Sequence, residues 1–180
     1  MSANSSKSDP RSVTLRAFGV LDALGISSAS LHPHCPVQVM SKPSSRLLIG
    51  VQSPEVLESL QPKMDQLISL TPRVGADGFF VFAIKPGSDP LTTESRMFCP
   101  VLGVPEDPVS GNAHGMLGVY LVHNGLLSAE GGAAHLHGLQ GRFVDRPGEV
   151  DVTVVASGKR ANEVRVTGDA VIVSEGVLPL

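Results

Sequence analysis

Residues 106–121 read Glu106-Asp107-Pro108-Val109-Ser110-Gly111-Asn112-Ala113-His114-Gly115-Met116-Leu117-Gly118-Val119-Tyr120-Leu121. Two acids, a Pro, a Gly and an amide stand directly before an apolar run at helical spacing. Pro108 biases Asp107 toward extended backbone, and Ser110-Gly111-Asn112 can turn sharply into a helix. The first N–H groups of a helix have no partner inside it, so those of about Gly111 to His114 are expected to face an anion. Asn112 adds a neutral side-chain donor. A carboxyl held beside a bound anion and away from water has its protonated form favoured, and Asp107 is then able to move a proton near neutral pH. The plainer alternative is that Asp107 and Ser110 only cap the helix and Gly111 only turns the chain. His114 in the first turn is either a proton shuttle or a packing residue, and Glu106 either acts in the site or pairs with a cation.

Working outward, the helix is expected to stop at Asn124-Gly125. Gly115 and Gly118 lie inside it, where Gly costs roughly 1 kcal/mol against Ala, so another backbone is expected to pack closely there. Before the key stretch, 13–24 has helical apolar spacing, and Pro36–Met40 and Arg46–Gln52 read as strands. The run Leu47-Leu48-Ile49-Gly50-Val51 suits a strand covered on both faces. Short helices are expected from Ser53-Pro54-Glu55 and after Pro62, a buried strand at Gly78–Ile84, a loop at Lys85–Thr93 and a strand at Glu94–Phe98. After the helix, Ala134–Leu139, Gly148–Ala156, Val164–Thr167 and Ala170–Ser174 read as strands separated by turn signals. The class is α+β, an antiparallel meander following a helix.

The bulk numbers limit the functions. The 180 residues, 42% of them hydrophobic, suit one compact domain. A net charge of −3, no Trp and a single Tyr offer neither a basic field nor stacking platforms, so no nucleic acid or membrane partner is expected. No apolar run reaches the roughly 18 residues of a membrane span. Met1 to about residue 12 reads as a polar, disordered leader, and a cytoplasmic location follows from Cys35 and Cys99 standing apart as two reduced thiols. His135 and His137 share a strand face but lack a third ligand nearby, and His32-Pro33-His34-Cys35 reads as a loop; no metal is expected. Ser110 lacks the elbow motif of an α/β hydrolase nucleophile. Arg96 either orients Glu106 or Asp107 or forms a structural ion pair.

Glu94-Ser95-Arg96-Met97-Phe98 followed by Glu106-Asp107-Pro108-Val109-Ser110-Gly111-Asn112-Ala113-His114 closely resembles the PhzF family of phenazine-biosynthesis isomerase-like proteins. Gln140-Gly141-Arg142, Arg146-Pro147-Gly148 and Val166-Thr167-Gly168-Asp169-Ala170 resemble that family's closing strands. The resemblance covers most of 13–180. It implies one lobe of a diaminopimelate-epimerase-like fold, a curved, mostly antiparallel sheet around a central helix, with the active site in a cleft between two lobes. It implies Asp107 as the catalytic carboxylate and Gly111, Asn112, Ala113 and His114 around the substrate carboxylate, without a cofactor. Family members run to nearly twice this length. The chain looks like the C-terminal lobe, 13–180, without the Ser-Glu-Thr-Ala-Phe-like stretch that carries the principal Glu. A cofactor-independent isomerase or epimerase of a small carboxylic acid is therefore expected, completed by self-association into a homodimer or higher oligomer or by a separate N-terminal lobe. The alternative is a non-catalytic relative that binds a small acid or a protein.

Overall fold

The computed structural model describes residues 19–41, 44–172 and 174–177. The expected leader at 1–12 and the first turns of the 13–24 helix lie outside them. Helical residues 19–24 (α1) lead to β1 (Gln38–Ser41), β2 (Ser45–Val51), α2 (Pro54–Ser59), α3 (Met64–Val74), β3 (Gly78–Lys85), β4 (Leu91–Cys99), β5 (Val104–Asp107), α4 (Gly111–His123), β6 (Ala133–Gln140), β7 (Gly148–Ser157) and β8 (Arg160–Thr167). One mixed sheet runs β1-β2-β3-β4-β6-β7-β8, with β5 also on β4. The β2/β3 and β4/β6 pairs are parallel and the others antiparallel, which fits the expected α+β class.

Period-2 alternation sorts the strand residues onto two apolar layers. Leu47, Ile49, Phe79, Val81 and Phe98 pack with Val20, Leu24, Leu57 and Leu67 of α1, α2 and α3. Leu48, Phe80, Phe82, Met97, Leu136 and Val152 face Leu117, Tyr120 and Leu121 of α4. Because both faces of β2 are covered, its apolar run is unbroken, as the sequence led us to expect.

α4 explains the curl of the sheet. Nine of its thirteen residues are buried, on all sides of the helix. Such a helix cannot lie on a surface. Strands from β2 to β7 supply its core neighbours, and β8 closes over it. Gly115 and Gly118 admit this closure, but the neighbours are valine side chains and not the backbone expected. A Cβ on Gly118 would stand 2.9 Å from Val154 Cγ2 and 3.0 Å from Val152 Cγ1, and one on Gly115 would stand 3.2 Å from Val166 Cγ2. On β6, Gly138 leaves room for the His114 ring, which a Cβ there would overlap.

Several boundaries differ from expectation. β4 begins at Leu91 and β8 at Arg160, three or more residues early, because each extends a ladder with a neighbour that local composition does not reveal. β5 was not foreseen: Val104 and Asp107 pair with Cys99 and Met97, where β6 has left the β4 edge. Residues 170–172 and 174 are not strand, since they meet no partner to complete a ladder; Val171 and Ile172 are exposed.

Arg96 joins the outer layer to β5. Its Nε and Nη2 donate to Glu106 Oε1 and Oε2 at 2.9 and 2.8 Å, and Nη1 donates to the Leu57 carbonyl at 2.9 Å. The Leu57 carbonyl, near the end of α2, also accepts from Leu60 N–H at 3.4 Å, so the cation adds a charge-assisted bond at this helix end. The guanidinium also sits 4.5 Å from the Phe143 ring centroid. Of the two readings left open by the sequence, the ion pair with Glu106 is the one found.

Two outcomes follow from this packing. Arg96→Met should lower unfolding free energy by about 3–5 kcal/mol, because Glu106 is left buried without its cation; urea unfolding measures it, and a loss below about 1 kcal/mol contradicts the role. Gly138→Ala should cost about 1–3 kcal/mol by overpacking, and part of that cost should vanish in a His114→Ala background. Additive losses in the double variant would show that the two positions do not clash.

Candidate active site

The site grows from the bend between β5 and α4. β5 delivers Asp107 half-buried at the edge of β4. Ser110 is the N-cap, extended at φ −119° and ψ 94°, and its hydroxyl accepts from Ala113 N–H at 3.4 Å. The Ser110 carbonyl accepts from His114 N–H at 3.1 Å. Two of the four expected free amides, those of Ala113 and His114, are therefore engaged within the chain. Gly111 and Asn112 N–H have no partner among the described residues.

His114 is fully buried, with its ring edge-on to Phe80. Its Nδ1 lies 2.8 Å from the Ser110 carbonyl, which can only accept, so Nδ1 carries the proton. Nε2 faces the Ser95 hydroxyl at 3.4 Å. Burial holds this imidazole below its ordinary value of 6.5, the Ser110 bond opposing the shift and His137 adding to it. Ala113 is equally buried. Ala113 and His114, expected around a substrate carboxylate, have their side chains turned into the core, where they back the first turn, while Gly111, Asn112, Gly115, Met116 and Val119 of α4 line a cavity on another face.

The two acids separate in role. Glu106 is spent on Arg96. Among the described residues no side chain donates to the Asp107 carboxylate; its backbone carbonyl accepts from Gln140 Nε2. Asp107 does not cap the helix, which Ser110 does alone. Asn112 is exposed, and its Nδ2 gives one of its two N–H groups to Ser44 Oγ at 2.6 Å. A cavity of about 590 Å³ opens beside Gly111 and Asn112, walled by Met40, Met116, Val119, Val164 and Val166. Asp107 is not among the residues that line it.

Sequence reasoning missed Gln140 and Ser95 as parts of this region. Gln140 is 33 residues from Asp107, and no local pattern announces the contact. The weaker candidates resolve simply. Cys35 and Cys99 are free and buried. Burial pushes the Cys35 thiol up to about 11, the wrong direction for a nucleophile. His137 does meet acids, Asp151 at 2.8 Å and Glu149 at 3.6 Å, supplied across the β6/β7 ladder and not by nearby sequence. No group of three or more side chains among the described residues is arranged to hold a metal ion. No helix among them is long and apolar enough to cross a membrane.

The phenazine biosynthesis-like protein family model matches residues 9–176. An uncharacterized isomerase, YddE, of Salmonella typhimurium is 36% identical over 85% of this chain and 51% of its own length. The trans-2,3-dihydro-3-hydroxyanthranilate isomerase of Pseudomonas aeruginosa is 26% identical over 89% of this chain and 52% of its own. The crystal structure of a PhzF-family phenazine biosynthesis protein from Bacillus anthracis superposes with a TM-score of 0.69 at 20% identity, covering 84% of this chain and 51% of that one. The chain therefore spans about half the length of the relatives it matches. With the curled sheet, the central helix and the Asp107 bend in place, the chain belongs to the PhzF family of phenazine biosynthesis-like proteins.

Proposed function

We propose that the chain supplies one wall of a cofactor-independent isomerase site for a small carboxylic acid. The observation that carries this reading is the Asp107 bend: an uncommitted carboxylate four residues before a helix start whose first two amides are unpaired. The N–H groups of Gly111 and Asn112, at the positive end of α4, hold the substrate carboxylate. Asp107 accepts a proton from carbon on one face of the substrate and returns it, or passes it on, at a second position. Net composition is unchanged, as an isomerisation requires. Ala113 and His114 support the turn. The name of the Pseudomonas aeruginosa relative suggests a cyclic amino acid as substrate.

In this reading a second lobe completes the site, as a second copy of the chain in a homodimer or as a separate N-terminal lobe. The two buried free thiols suit a reducing, cytoplasmic compartment. A second reading, in which the chain binds a small acid or a protein and turns nothing over, draws on Glu106 being held by Arg96 and so withdrawn from proton transfer.

The test is solvent deuterium incorporation into trans-2,3-dihydro-3-hydroxyanthranilate, with wild type and Asp107→Asn compared. The catalytic reading expects incorporation by wild type and a fall of about 10²–10⁴-fold in the variant. Incorporation that survives the substitution removes Asp107 from the mechanism. Binding without incorporation favours the second reading.

A further inference from the structure

Gln140 ends β6 and is almost wholly buried. Its side-chain amide spans the bend. Nε2 donates to the Asp107 carbonyl, and Oε1 accepts from the Ser110 N–H at 3.2 Å. A primary amide can donate and accept at once in this planar geometry without titrating. The two backbone groups it joins are three residues apart. Without a partner each would be a buried or half-buried polar group, costly to leave unmade. Pro108 cannot donate, so the bend has few internal hydrogen bonds of its own.

We infer that Gln140 is a positioning residue: it clamps Asp107 to Ser110 and thereby fixes the carboxylate relative to the open amides of Gly111 and Asn112. The inference rests on the site reading above for its functional meaning. His114 completes the clamp from the other side by donating to the Ser110 carbonyl. Thus β6 and the core both grip Ser110, while the Asp107 side chain and the first two helical amides stay free.

The clamp predicts a pH signature that simple packing does not. In Gln140→Glu, a protonated carboxyl can donate to the Asp107 carbonyl and accept from Ser110 N–H, as the amide does. Ionised, it can only accept, and it faces the Asp107 carbonyl oxygen. The charged side chains around it are Lys85, Glu94, Arg142 and Glu149 in the adjoining crevice, with Asp107 across the bend. The clamp should therefore fail at high pH and recover as pH falls.

The experiment is amide exchange of Ser110 by NMR, expressed as protection relative to the intrinsic rate at each pH, together with titration of the Gly111 and Asn112 amides with anthranilate as probe. Gln140→Leu should lose Ser110 protection by about tenfold or more and weaken anthranilate binding by a similar factor. Gln140→Glu should behave like Gln140→Leu at pH 8 and regain most of the protection at pH 5, with wild type as reference at both. Unchanged Ser110 protection in Gln140→Leu, or no recovery in Gln140→Glu, overturns the clamp. Lost protection with unchanged anthranilate affinity overturns its positioning role. A wild type whose Gly111 and Asn112 amides ignore anthranilate defeats the carboxylate reading instead, and that failure is read on different amides.

Discussion

A helix that is apolar all round must be enclosed, and the enclosure of α4 governs everything else in this molecule. One flat sheet cannot surround a helix. This sheet curls until β1 and β2 at one end and β8 at the other all reach it. The glycines of α4 and β6 set how tightly it closes: Gly111, Gly115 and Gly118 admit valines of β7 and β8, and Gly138 admits a histidine. Burial of apolar side chains on both sheet faces stabilises the arrangement, and the missing side chains make it sterically possible.

Chemistry collects at one end of α4 for a topological reason. β4 is paired with β6 along Leu91–Ser95 and with β5 at Met97 and Cys99. Two strands share one edge, so the chain entering α4 emerges from a gap between them. Gln140 at the end of β6 and Asp107 at the end of β5 meet across that gap. Arg96, on the opposite face of β4, fixes β5 through Glu106, and it ties the same strand to α2. The bend is thus held on several sides by groups that have no free valence for a ligand, which leaves Asp107, Gly111 and Asn112 as the groups with capacity to spare.

Much of this was legible in the sequence because it is local. Ser110 as one of two candidate caps, a sharp turn at Ser110-Gly111-Asn112 into a helix, the stop at Asn124-Gly125 and the two-sided burial of β2 all follow from nearest-neighbour sterics and periodicity. The resemblance carried by Glu94–Phe98 and Glu106–His114 gave the family and the lobe architecture. What was not legible depends on partners distant in sequence. β5 is a strand only because β6 leaves the β4 edge free. His137 gains acids only because β7 lies beside it. The His114 ring is drawn into the core over Gly138, and first-turn position alone could not tell that from an outward orientation. One N–H of the Asn112 side chain goes to Ser44, 68 positions away, a contact that no local pattern announces.

The most direct test of the account is amide hydrogen exchange along residues 110–124 in the free protein, read residue by residue by NMR. An enclosed helix with an open first turn predicts strong protection from Leu117 to Val122, intermediate protection at Ala113 and His114, and rapid exchange at Gly111 and Asn112 alone. Slow exchange at Gly111 and Asn112 without any added anion would mean those amides are already satisfied, and loop-like exchange at Leu117–Val122 would mean α4 is not the buried axis of the fold.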